Sequence, residues 1–148
     1  MTSRILVADD DSRMRRMIRQ IVSDLASTVY EADNGSEAIK LCVAERPDCV
    51  LLDLRMGPVD GLRALSEIKA QLPGTRVVIV SQYDDPGLRA KALRAGACAY
   101  VLKENLHELP AILTGLPLEV LEAARSSKAT PSPQVALHPH PGSGKQSL

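Results

Sequence analysis

Three aspartates stand together at Asp9-Asp10-Asp11, directly after the apolar run Ile5-Leu6-Val7-Ala8. Asp53 follows a second such run, Cys49-Val50-Leu51-Leu52, and Ser81 a third, Val77-Val78-Ile79-Val80. Lys103 closes a fourth segment, Ala99 to Leu102. An aspartate at the end of a strand is common turn chemistry, so one acid alone says little. Acid, hydroxyl and amine at several strand ends say more. Clustered carboxylates repel, and their pKa values rise unless a cation sits among them. The fitting cation is Mg²⁺, a hard octahedral ion held by one or two carboxylates, waters and a phosphate. A lysine ammonium and a serine hydroxyl suit phosphoryl oxygens, the first by charge and the second by hydrogen bonding. The set describes an acidic Mg²⁺ site with one carboxylate free to attack phosphorus.

The elements that must position these residues are legible in the hydrophobic pattern. The three apolar runs are almost uninterrupted, as in strands buried on both faces. Thr28 to Ala32 and Ala99 to Leu102 are weaker strand candidates. Between them lie helical periods: Ser12 to Leu25, about Ser36 to Glu45, and about Gly61 to Leu72. A fourth helix starts at Asp85-Pro86, an N-cap with proline at the first helical position, and ends at Gly96. Five β–α alternations of this kind predict a doubly wound α/β domain: a five-stranded parallel sheet with helices on both faces. In such a sheet ligands bind beyond the carboxyl ends of the strands, where strand order reverses. The fifth helix is irregular, with a capping box of Asn105 and Glu108 and a break at Gly115 to Pro117. A second short helix is expected from Pro117 to Arg125.

The chain has 148 residues, 45% hydrophobic and 24% charged, with no Phe, no Trp and three Tyr, so the core must be aliphatic. Lys+Arg and Asp+Glu are both 18, and that balance argues against a dedicated nucleic-acid binder. No apolar run approaches the ~20 residues that cross a bilayer, and no signal peptide precedes the aspartates. Cys42, Cys49 and Cys98 have no metal-like spacing and read as buried thiols in a reducing compartment. A cytoplasmic domain is expected over residues 1–125. Residues 126–148, with four Pro, two Gly and five Ser, have too little apolar surface to order and are expected to form a disordered tail. Within it, Gly142-Ser143-Gly144-Lys145 lacks the rest of a phosphate loop, and His138 with His140 gives two metal ligands at most.

The segments ILVADDDSRMRRMIRQIV, VLLDLRM, DGL, VVIVSQYDD and ALRAGACAYVLKE together resemble the receiver domain of two-component response regulators. The resemblance spans about residues 4 to 115. It implies a flavodoxin-like fold and a phosphoacceptor role in a phosphorelay. Asp53 matches the phosphorylated aspartate; Asp9 and Asp10 match the Mg²⁺-binding pair, with Asp10 favoured as the direct ligand. Arg55 stands where a backbone carbonyl completes the metal shell. Ser81 matches the switch hydroxyl, Lys103 the lysine of the family motif, and Tyr100 the aromatic switch residue, which would turn inward when Ser81 moves to the phosphoryl group. Asp11 has no family role and reads as the N-cap of the first helix.

A histidine kinase or phosphotransfer protein is the implied donor, and an unknown protein the implied target. No helix-turn-helix pattern is visible in the 45 residues after Lys103, so a DNA-binding output is not expected. The protein would catalyse its own phosphorylation and dephosphorylation without being an enzyme in the usual sense. A phosphorylation-independent interaction module is the alternative. A phosphatase would want an acid where Arg55 stands, and a flavin protein would not place three aspartates beside a phosphate. Gly57 before Pro58, and Gln82 after Ser81, depart from the family pattern. The Arg13 to Arg19 group reads as a solvated face or as a kinase-docking surface.

Overall fold

The structure is a computed structural model that describes residues 4–56 and 60–115. The expected second helix at Pro117 to Arg125, the tail, the boundary at residue 125 and the Gly57-Pro58 departure lie outside those residues. Five strands form one parallel sheet in the order β2-β1-β3-β4-β5. They are β1 (Arg4–Ala8), β2 (Thr28–Ala32), β3 (Cys49–Leu52), β4 (Arg76–Ser81) and β5 (Ala99–Leu102). The helices between them are α1 (Ser12–Val22), α2 (Gly35–Glu45), α3 (Gly61–Gln71) and α4 (Pro86–Arg94), with α5 (Leu109–Thr114) at the end. This is the flavodoxin-like doubly wound fold.

Strand alternation divides the core into two layers. Leu6, Ala8, Val50, Leu52, Val77 and Ile79 pack with Ala38, Cys42, Ala64, Leu65, Ile68 and Ala92 of α2, α3 and α4. Ile5, Val7, Leu51, Val78, Val80 and Val101 face Ile18 and Val22 of α1 and Leu109 and Leu113 of α5. Both faces of the three inner strands are therefore covered, which explains their unbroken apolar runs. Caps fix where the helices begin. The Asp11 carboxylate accepts from the N–H of Arg13, Asn34 from Glu37, Asp60 from Arg63, and Asp85 from Gly87 and Leu88. The expected roles of Asp11 and Asp85 hold.

Three expectations are corrected. The first helix stops at Val22, and Ser23–Leu25 tighten into a 3-10 turn. The capping box at Asn105 does not form: Lys103–Glu108 is 3-10 with Asn105 non-helical at φ −119°, and α5 restarts at Leu109. Pro110 is compatible with that start, because in the first turn its missing N–H has no helical partner to lose. Cys98 is exposed, unlike buried Cys42 and Cys49, because it lies in the turn before β5 rather than on a covered strand. Burial pushes the Cys42 and Cys49 thiols up to about 12, as inert packing thiols should be.

One close approach positions the loop after Asp53. Gly61 donates its N–H to the Leu54 carbonyl at 2.8 Å. A Cβ there would run into the Asp53 carbonyl oxygen and sit 2.5 Å from Leu54 Cα, both rigid backbone. Gly61→Ala is therefore expected to cost about 3 kcal/mol of stability, read as a lowered urea midpoint. Gly74→Ala, whose Cβ meets nothing within 4 Å, is the control. Equal midpoints for the two variants would rule out the close approach.

Candidate functional site

Strand register brings the chemical residues together. Ala8 pairs with Ala32 on one side and Leu52 on the other, so Asp9 and Asp53 are one step past the paired ends of β1 and β3. The chain holds them there: Asp53 N–H donates to the Ala8 carbonyl at 2.9 Å, and Asp9 N–H to the Ala32 carbonyl at 3.0 Å. Ser81 pairs with Leu102, which sets Lys103 one step beyond. Between β1 and β3 the strand order reverses, and the acids stand at that switch point.

Lys103 Nζ lies 2.9 Å from Asp9 Oδ2 and 3.5 Å from Asp53 Oδ2. Asp9 is 1% and Asp53 5% exposed, whereas Asp10 is exposed. Asp9 Oδ1 accepts the Asp11 N–H at 2.9 Å, and Arg15 Nη1 donates to the Asp9 carbonyl at 2.7 Å. Burial raises Asp53 to about 6, and neighbouring Asp9 adds to the rise; Lys103 and a hydrogen bond from the Arg55 backbone N–H oppose it. Burial alone would lower Lys103, but Asp9 and Asp53 more than offset it and hold the ammonium above its usual value. One lysine thus serves two carboxylates.

Asp9, Asp10 and Asp53 each offer an oxygen within 4.8 Å of the others. Among the described residues, no geometrically defined hydrogen bond reaches the fully buried Asp9 Oδ2. The Lys103 ammonium is its ionic partner at 2.9 Å. A buried carboxylate oxygen met by a single ammonium, in an all-oxygen and net-acidic cluster, suits a hard divalent cation such as Mg²⁺. Of the three consecutive aspartates, Asp11 stays outside the cluster and caps α1.

Ser81 is buried, and its Oγ accepts the Tyr83 N–H at 3.0 Å. Tyr100 is buried, 7% exposed. Its hydroxyl donates to the Tyr83 carbonyl at 2.7 Å, and the Arg89 guanidinium lies 4.8 Å from its ring centroid. The phenol is held inward by a hydrogen-bond partner inside and a cation against its face. The Arg55 side chain is exposed and stacks on Tyr83, 4.8 Å from the ring centroid. Gln82 is exposed. Arg15 and Arg19 pair with Glu31 at 3.0 and 2.9 Å, so half of the α1 basic group is internally matched. Sequence reasoning missed Tyr83, for which an aromatic two residues after Ser81 was the signal, and read Arg15 only as part of the α1 basic face, not as a donor to the Asp9 carbonyl.

Fold and site together define a flavodoxin-like domain of the receiver type. The response regulator receiver domain model matches residues 5–114, and the chain belongs to that family of two-component proteins. It is 39% identical over 101 residues to chemotaxis protein CheY of Listeria monocytogenes, covering 68% of this chain and 85% of that one. It is 36% identical over 112 residues to regulatory protein AtoC of Escherichia coli K12, covering 75% of this chain but only 24% of the relative. The solved receiver domain of the response regulator NarL from Mycobacterium tuberculosis superposes with a TM-score of 0.63 at 36% identity, over 70% of this chain and 85% of that one. Receiver domains generally bind Mg²⁺ and interact with histidine kinases or phosphotransfer proteins. Among the described residues, no helix is long and apolar enough to cross a membrane.

Proposed function

We propose that this protein is the phosphoacceptor of a cytoplasmic two-component phosphorelay, with Asp53 as the residue modified. The observation that carries the reading is Lys103 standing between two buried carboxylates, 2.9 Å from Asp9 and 3.5 Å from Asp53. The donor is a phosphohistidine on a histidine kinase or phosphotransfer protein. An Asp53 oxygen bonds to phosphorus as the N–P bond breaks, and the imidazole keeps the electron pair. Lys103 neutralises charge on the transferring oxygens. Asp9, Asp10, Asp53 and the Arg55 backbone carbonyl would hold Mg²⁺, which supplies further charge neutralisation when bound. The protein promotes its own phosphorylation and dephosphorylation and turns over no separate substrate. The output is a changed protein-interaction surface around α4 and β5, and the target is a protein.

The test is intact mass at neutral pH after incubation with acetyl phosphate, with Mg²⁺ or with chelator. One added phosphoryl group in Mg²⁺ and none in chelator is the expected result; addition that ignores the metal would overturn the reading. The alternative is a module whose interaction surface needs no phosphate. Beryllofluoride with Mg²⁺ separates the two. Amide shifts spreading from Asp53 through Ser81 to α4 and β5 support the switch, and a spectrum that does not change supports the module.

A further inference from the structure

Tyr83 is the residue on which three parts of the site converge. Its N–H holds the Ser81 hydroxyl, and its carbonyl holds the Tyr100 hydroxyl. Its ring carries the guanidinium of Arg55, which reaches across from the loop after β3. Arg55 is two residues beyond Asp53 and its side chain is exposed, free to reorient, with no carboxylate paired to it among the described residues. Before phosphorylation the pull on this cation is the face of one aromatic ring. After it, a group with nearly two negative charges and three acceptor oxygens stands two residues away. Charge-assisted hydrogen bonds from a guanidinium fork to such a group outweigh a cation–π contact at an exposed position.

We propose that Arg55 and Tyr83 form a latch in which the anion on Asp53 competes with the Tyr83 ring for the Arg55 guanidinium. The proposal rests on the phosphoacceptor reading. Releasing the ring frees the one residue that tethers both Ser81 and Tyr100. The same charge that draws the Ser81 hydroxyl therefore loosens its old partner. The latch gives the Arg55 side chain a role distinct from that of its backbone carbonyl, and it makes the identity of residue 83 a setting for how readily the site accepts an anion.

The probe is beryllofluoride with Mg²⁺ on the full chain, observed through the Arg55 side-chain NMR resonances and by titration. In the free protein these resonances are expected to carry the ring-current shift of Tyr83. Beryllofluoride should abolish that shift, as should Tyr83→Leu without any ligand. Tyr83→Leu should raise beryllofluoride affinity about two- to fivefold, the strength of one exposed cation–π contact. Tyr83→Phe, which keeps the ring, should match the parent. In an Arg55→Gln background, Tyr83→Leu should have no effect, so that the pair is non-additive in a way that loop loosening alone does not produce. An Arg55 ring-current shift that survives beryllofluoride while the Ser81 and Lys103 amides move would overturn the latch and leave the phosphoacceptor reading standing. No movement at Ser81 and Lys103 would overturn both.

Discussion

Asp53→Asn incubated with acetyl phosphate and Mg²⁺ is expected to gain no phosphoryl group, because an amide oxygen lacks the negative charge that attacks phosphorus. The parent should label under the same conditions and lose the label on chelation. Lys103→Ala should still label, but about a hundredfold more slowly, the usual cost of losing one preorganised cation or donor aimed at transferring oxygens. Asp10→Asn should label near the parent rate at saturating Mg²⁺ and need more metal to reach it, since it removes the charge of one exposed oxygen ligand. Far-UV circular dichroism confirms that each variant is folded before rates are compared. Labelling of Asp53→Asn at the parent rate would move the acceptor elsewhere. An unchanged Lys103→Ala rate would remove the lysine from the chemistry and reduce it to a counterion.

In metal-free buffer the acidic site is expected to work against the fold. Asp53 has its value raised to about 6 in the native state, first by burial and then by Asp9. Between the ordinary value near 3.8 and about 6, the native chain keeps a proton that the unfolded chain has released. Stability therefore falls as pH rises through that window and levels off above it. Glu31, whose value is lowered although burial opposes this, because Arg15 and Arg19 bind it, acts the other way and at lower pH: its stabilising share is lost as pH falls below about 4.5. Comparing the parent with Asp53→Asn isolates the first effect. In chelator at pH 7.5, Asp53→Asn should be more stable by on the order of 3 kcal/mol, and the gap should close toward pH 4. Excess Mg²⁺ should narrow it at neutral pH by binding only the native parent. Urea unfolding at several pH values measures this directly. A parent as stable as the variant at pH 7.5 in chelator would show that Lys103 already compensates the buried charges.

Strand identity, helix caps and the acid, hydroxyl and lysine positions were legible in the sequence because each is local. An unbroken run such as Val77 to Val80 needs cover on both faces wherever it ends up. Asp11 and Asp85 cap the helices that follow them through bonds two or three residues long. The irregular start of α5 was less legible, since Asn105-Glu108 and Pro110 give competing start signals and only packing selects between them. Parallel register decided more. A shift of one residue between β1 and β3 would have separated Asp9 from Asp53, and no residue type in either strand states the register. Three consecutive aspartates look equivalent in the chain, yet Asp9 is buried against Lys103, Asp10 faces solvent and Asp11 turns to α1. The inward Tyr100 and the Arg55–Tyr83 stack join residues from different parts of the chain, 17 and 28 positions apart, through one carbonyl and one ring face. Local sequence set which groups are available; burial, register and the reversal of strand order set which of them share a charge.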